Sequence, residues 1–80
     1  MKSIHIQYFA VLRDLTKVDE EQRETNAETA LELYEEVRQV FGFDFDSINL
    51  RVAVNDSFSE WDYKLKDGDK LVFLPPVSGG

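Results

Sequence analysis

The chain contains no cysteine. Disulfides, thiolate metal sites and cysteine nucleophiles are therefore excluded, and 80 residues must hold together on one modest apolar core. The absence also suits a reducing compartment. Histidine occurs once, at His5, so any Ser–His pair would depend on that residue alone; its place in an alternating segment marks it as a sheet-face side chain. Glycine is limited to Gly42, Gly68, Gly79 and Gly80, positions from which no phosphate-cradling loop can be built. Long apolar runs are missing, and none approaches a membrane span. Met1–Ala10 is too polar and too regularly alternating for a secretory signal. Basic residues are outnumbered, 9 to 16, giving a net charge of −7. That balance lacks the basic footprint a phosphate backbone requires. It suits solubility, or steering towards a basic protein surface. These absences together predict a cytoplasmic protein with neither nucleic acid nor membrane among its partners.

With 42% hydrophobic residues, the chain is not an acidic disordered tail. Ile4, Ile6 and Tyr8 alternate with His5, Gln7 and Phe9, which predicts a first strand over Lys2–Leu12. Arg13–Asp19 reads as a turn and Glu20–Glu24 as a short second strand. Thr25–Phe41 is the clearest helix. Thr25 with Glu28 fits a capping box, and Ala30, Leu33, Tyr34, Val37, Val40 and Phe41 form an apolar stripe at helical spacing. Gly42 stands where a left-handed terminator is favoured. Phe43–Asn49 is a loop, Leu50–Val54 a strand and Asn55–Asp56 a turn. Phe58–Leu65 is a short edge strand or irregular segment, and Trp61 within it is assigned to core or edge packing. Asp67-Gly68-Asp69 is a turn before a last strand, Lys70–Leu74. The order predicts an α+β domain over 1–74, a mixed sheet packed on one main helix, followed by a tail over 75–80.

Chemistry is sparse inside that domain. Asp44 with Asp46, and Asp67 with Asp69, lack the full ligand spacing of a calcium loop, and turn formation accounts for both pairs. The tail is different. Pro75 and Pro76 stiffen its base and favour an extended path, and Gly79 and Gly80 leave the last carboxylate with no side chain beside it. Six residues reach roughly 20 Å when extended. Such a carboxylate can enter a narrow channel in another protein.

Four segments carry a family resemblance: Tyr8-Phe9-Ala10-Val11-Leu12-Arg13, Val52-Ala53-Val54-Asn55, Leu65-Lys66-Asp67-Gly68-Asp69, and Phe73-Leu74-Pro75-Pro76-Val77-Ser78-Gly79-Gly80. In this order the chain resembles, over essentially its whole length, the small subunits of molybdopterin synthase, ubiquitin-like sulfur carriers of molybdenum cofactor synthesis. The resemblance implies a β-grasp fold and a cycle centred on Gly80. An ATP-dependent adenylyltransferase of the ubiquitin-activating type adenylates the Gly80 carboxylate. A sulfur donor then converts it to a thiocarboxylate. Val77, Ser78 and Gly79 lie with Gly80 in the active site of the large synthase subunit, where sulfur passes to cyclic pyranopterin monophosphate to form molybdopterin. On this reading the chain binds no cofactor itself and is not catalytic alone. ATP is consumed by the activating enzyme, and the expected assembly is a heterotetramer with two large subunits.

The resemblance also points to Phe9, Phe58 and Leu74 as an exposed apolar patch for docking partners on the outer sheet face, with the completion of a second small core as the competing explanation. Asp67 and Asp69 are expected near the root of the tail, available to basic partner residues. Other assignments stay open on the residues alone. They are a thiamine-pathway sulfur carrier, a ubiquitin-like modifier joined to lysines, and a ubiquitin-like binding module with an inert end.

Overall fold

The computed structural model describes residues 1–74; the tail predicted at 75–80 lies outside the described residues. Strand β1 (Lys2–Tyr8) is followed by helix α1 (Ala10–Thr16), β2 (Glu20–Thr25), the main helix α2 (Ala30–Phe41), a 3-10 turn at Ser47–Asn49, and strands β3 (Arg51–Val54), β4 (Ser57–Ser59) and β5 (Lys70–Leu74). The strands form one sheet in the order β2-β1-β5-β3-β4. The last strand therefore occupies the middle of the sheet. It runs parallel to β1, with Tyr8 beside Phe73, and antiparallel to β3, with Arg51 opposite Leu74.

Alternation decides which face is buried. Ile4, Ile6 and Tyr8 of β1, Val52 and Val54 of β3, and Leu71 and Phe73 of β5 all point to the helix side and are buried. Helix α2 covers them with Ala30, Leu33, Tyr34 and Val37. Burying each large apolar side chain contributes about 1.5–3 kcal/mol. Tyr34 sits at the centre, its ring 5.2 Å from Phe73 and 5.5 Å from Trp61. Its hydroxyl donates to the Phe45 carbonyl, so the polar end is satisfied. At the β2 margin the inward side chains are polar. Arg23 Nε donates to Glu36 at 2.6 Å, and Glu36 also accepts from Thr25 Oγ1 at 2.7 Å, tying β2 to α2.

Helix α2 begins later than Thr25. The sequence carries two capping-box patterns in tandem, Thr25–Glu28 and Thr29–Glu32, and the fold uses the second. Thr29 Oγ1 accepts the Glu32 N–H at 3.2 Å, and Glu32 reaches back to the Glu28 N–H at 3.1 Å. Thr25 instead ends β2, buried, with its hydroxyl accepting from the Ala27 N–H. The next free N–H groups, of Ala30 and Leu31, donate to the Tyr63 and Trp61 carbonyls. The segment after β4 therefore caps the helix. Gly42 terminates it at φ +73°, in the left-handed region. Val40, at the margin of the stripe in the last turn, is left 59% exposed rather than buried.

The largest departure from expectation is α1. Strand β1 stops at Tyr8, and Ala10–Thr16, predicted as strand end and turn, forms a helix that buries Leu12 and Thr16. Ala10 enters it at φ +51°, and Lys17 closes it at φ +68°. Among the described residues no helix is long and apolar enough to cross a membrane.

Candidate functional site

The site is built from β5 outward, because β5 leads directly into the Gly-Gly segment. Both edges of β5 are hydrogen-bonded, to β1 and β3. Its penultimate residue, Phe73, is fully buried; the ring meets Tyr34 edge-on and stacks on Trp61 at 6.0 Å. Strand β5 is thus held on both edges and from the core face, in the centre of the sheet, up to its end at Leu74.

Residues of opposite parity to the core populate the outer face. Val72 and Leu74 of β5, Ala53 of β3 and Phe58 of β4 lie there, with Ala53 paired to both Val72 and Phe58. Together with Asp56 they line a concavity of about 170 Å³. Phe58 is 62% exposed, while Leu74, Val72 and Ala53 are half-buried. Arg51 lays its guanidinium over the Phe58 ring, 4.2 Å from the centroid. Phe58 and Leu74 are therefore brought together. Phe9 is not on the strand. It caps α1 with extended backbone at φ −125°, one residue beyond Tyr8, and is 43% exposed. It does not line the concavity. Ala53, Val72 and Arg51 escaped the sequence reading, although their alternation with the buried Val52, Val54, Leu71 and Phe73 marks them as outward. The β1–β2 half of the same face is polar: His5 Nε2 lies 3.0 Å from Glu20, and its Nδ1 lies 3.2 Å from Gln22.

Asp67 and Asp69 are not near the root of the tail. They precede β5, which places them at the opposite end of a five-residue strand from Leu74, about 16 Å along its axis. Asp69 is also unavailable to a partner. It is 6% exposed and accepts from Asn55 Nδ2 at 3.0 Å, Tyr63 Oη at 3.0 Å and the Lys66 N–H at 2.8 Å. Burial pushes its carboxyl up, but those donors outweigh burial and hold it below the usual carboxylate value. The same bond holds the Tyr63 phenol above its ordinary value. Asp69 clasps the hairpin turn to the loop before β5. Asp67 accepts the Ser3 N–H at 2.6 Å and is otherwise exposed. Elsewhere in the interior, burial and the Glu21 hydrogen bond push the Tyr8 phenol up. Among the described residues no group of three or more His, Cys, Asp or Glu side chains is placed to hold a metal.

A mixed sheet with its last strand central, one long helix across its inner face and short crossover segments defines a ubiquitin-like β-grasp protein. The chain belongs to the ThiS family, whose model matches residues 6–80. It is 31% identical to the molybdopterin synthase sulfur carrier subunit of Haemophilus influenzae over 80 residues, covering 96% of this chain and 99% of that one. It is 35% identical to the protein of the same name from Drosophila melanogaster, over 98% of this chain and 91% of that one. Among solved structures it is similar to a protein–protein complex of subunits 1 and 2 of the molybdopterin-converting factor from Helicobacter pylori, with TM-score 0.67, 25% identity and coverage of 98% and 99%.

Proposed function

We propose that this chain is the sulfur carrier subunit of a molybdopterin synthase and that Gly80 is the atom-carrying end. The observation that supports this best is the extent of the family match, which runs through the Gly-Gly segment to residue 80 and is matched by nearly end-to-end alignment with curated sulfur carrier subunits.

The chemistry explains why such a carrier needs no cysteine. A carboxylate is a poor acylating group. Attack of the Gly80 carboxylate oxygen on the α-phosphate of ATP, with loss of pyrophosphate, makes an acyl adenylate with a good leaving group. Sulfur from a donor replaces AMP, leaving a thiocarboxylate on the main-chain end. That sulfur is a softer and stronger nucleophile than the oxygen it replaced; when the chain docks on the large subunit it attacks the pterin precursor, and water then cleaves the Gly80 acyl–sulfur bond, leaving the sulfur on the pterin and returning the Gly80 carboxylate. Gly79 and Gly80 keep Cβ atoms out of both partner channels. The folded domain presents the end and supplies the docking face, with Phe58 and Leu74 around the concavity.

Intact-mass spectrometry of the chain purified from its native host tests the reading. The expected result is a fraction heavier by one sulfur-for-oxygen exchange, mapped by fragmentation to Gly80. A lysine-linked adduct through Gly80, with no thiocarboxylate, would replace this function with that of a modifier.

A further inference from the structure

Arg51 stands out among the four arginines. Arg13, Arg23 and Arg38 each pair with a carboxylate. Arg51 pairs with none among the described residues, and its side chain is exposed. It is nevertheless not loose, because its guanidinium lies 4.2 Å from the centroid of the Phe58 ring. A guanidinium held over a ring face keeps its charge against the π-system and still has N–H donors left for another partner. Arg51 stands opposite Leu74 in the sheet, where the chain leaves β5. It also lines a second groove of about 510 Å³ with Ile48, Asn49, Ser59, Glu60 and Trp61. It thus sits on the ridge between that groove and the Phe58–Leu74 concavity.

We propose that Arg51 is a specificity-determining residue that receives a carboxylate from the protein docking on the outer sheet face. The inference rests on the docking reading above and names the chemistry of the partner at one point. The occupant is a protein surface presenting an Asp or Glu side chain beside an apolar residue that enters the Phe58–Leu74 concavity. Charge argues for it. A chain of net charge −7 is steered as a whole towards basic surfaces. A guanidinium that makes no ion pair among the described residues, although Glu60 lines the same groove, runs against that field, and two adjacent N–H edges match a carboxylate bidentately. Such a contact contributes register and partner choice more than bulk attraction. A phosphate ligand is the weaker fit, since no second cation shares the ridge among its lining residues.

The test is titration calorimetry of the full chain against the large synthase subunit from the same organism, using wild type, Arg51→Lys, Arg51→Met and Arg51→Glu. Methionine keeps apolar cover over Phe58 and removes charge and donors, so a purely structural role would survive it. The expected result is roughly tenfold weaker binding for Arg51→Met, the scale of a lost charge-assisted pair. Arg51→Lys should be intermediate. Arg51→Glu should be weakest, although added negative charge favours a basic surface. The salt dependence of wild-type affinity should flatten in Arg51→Met, and thermal melts of all four should agree within a few degrees. Wild-type binding with an undiminished Arg51→Met overturns the inference and leaves the docking reading standing. No binding by the wild type removes both. Displacement of the large subunit by inorganic phosphate in an Arg51-dependent manner would replace the carboxylate with a phosphate and equally overturn the proposal.

Discussion

Phe58 and Phe73 offer a direct measurement of what the outer face is for. Both are phenylalanines, on strands separated only by β3. Phe73 is fully buried, while Phe58 is 62% exposed. Phe73→Ala removes a ring packed between Tyr34 and Trp61, which costs about 3–5 kcal/mol. Small domains are stable by roughly 0.05–0.15 kcal/mol per residue, so this variant should be largely unfolded at 37 °C or close to it. Phe58→Ala loses mainly its stacking with Arg51, about 0.5–1 kcal/mol, and a small buried area. At about 4–8 °C per kcal/mol for a domain of this size, its melting temperature should fall by no more than about 8 °C. Binding should show the reverse order of sensitivity. An exposed aromatic at the centre of a docking patch is a hot-spot residue, worth about 2 kcal/mol or more, or roughly thirtyfold in affinity. Thermal denaturation followed by circular dichroism and calorimetric titration with the large subunit supply the two numbers. A Phe58→Ala protein that melts as early as Phe73→Ala would mean that the outer face is a second core. One that binds as tightly as wild type would remove Phe58 from the interface.

Deleting Gly80 should leave the melting temperature unchanged and abolish sulfur transfer in a reconstituted synthase assay; retained transfer would refute the role of the terminus. Asp69 has a depressed carboxyl value when folded, so its contribution is present above the unfolded value of about 3.9 and lost as pH falls through the lower folded value. Urea titrations between pH 5 and pH 2.5 should therefore show a steeper loss of stability in wild type than in Asp69→Asn. That variant should also be weaker by about 1–3 kcal/mol at pH 7, because its amide sets a second N–H donor against Asn55 Nδ2. Thr29→Ala should cost about 0.5–2 kcal/mol through the lost N-cap, whereas an unchanged midpoint would show that the Tyr63 and Trp61 carbonyls suffice.

How much of this could be read from the sequence depended on how far each segment's pattern was unique. The alternation of Ile4, Ile6 and Tyr8 and the run Lys70–Leu74 admit one strand reading each; the last strand forms as expected, and the first forms but ends at Tyr8, short of Leu12. Helix α2 was legible, but its start was not, because two capping patterns follow one another and local chemistry does not choose between them. The choice is tertiary: Thr25 is held by its pairing with Lys2 and by Glu36 from α2. Helix α1 was hidden because only Leu12 and Thr16 face inward, too few for a helical period to emerge from Phe9-Ala10-Val11-Leu12. At the site, the outward placement of Leu74 was legible, and so was the exposure of Phe58. The burial of Asp69 was not, since its three donors come from Asn55, Tyr63 and Lys66, and only the fold brings them to one point.

The central place of β5 has a kinetic consequence. Remove it and the sheet separates into two ribbons, β1 with β2 and β3 with β4, and an isolated two-stranded ribbon is marginal in water. Neither ribbon can be joined to the other until the strand nearest the end of the described chain is threaded between them. Pairing Tyr8 with Phe73 closes a loop of more than sixty residues, the kind of long-range contact that slows folding. The protein should therefore assemble late and in one cooperative step. Its last strand acts as a keystone, so a nascent or clipped chain lacking β5 stays open to proteases.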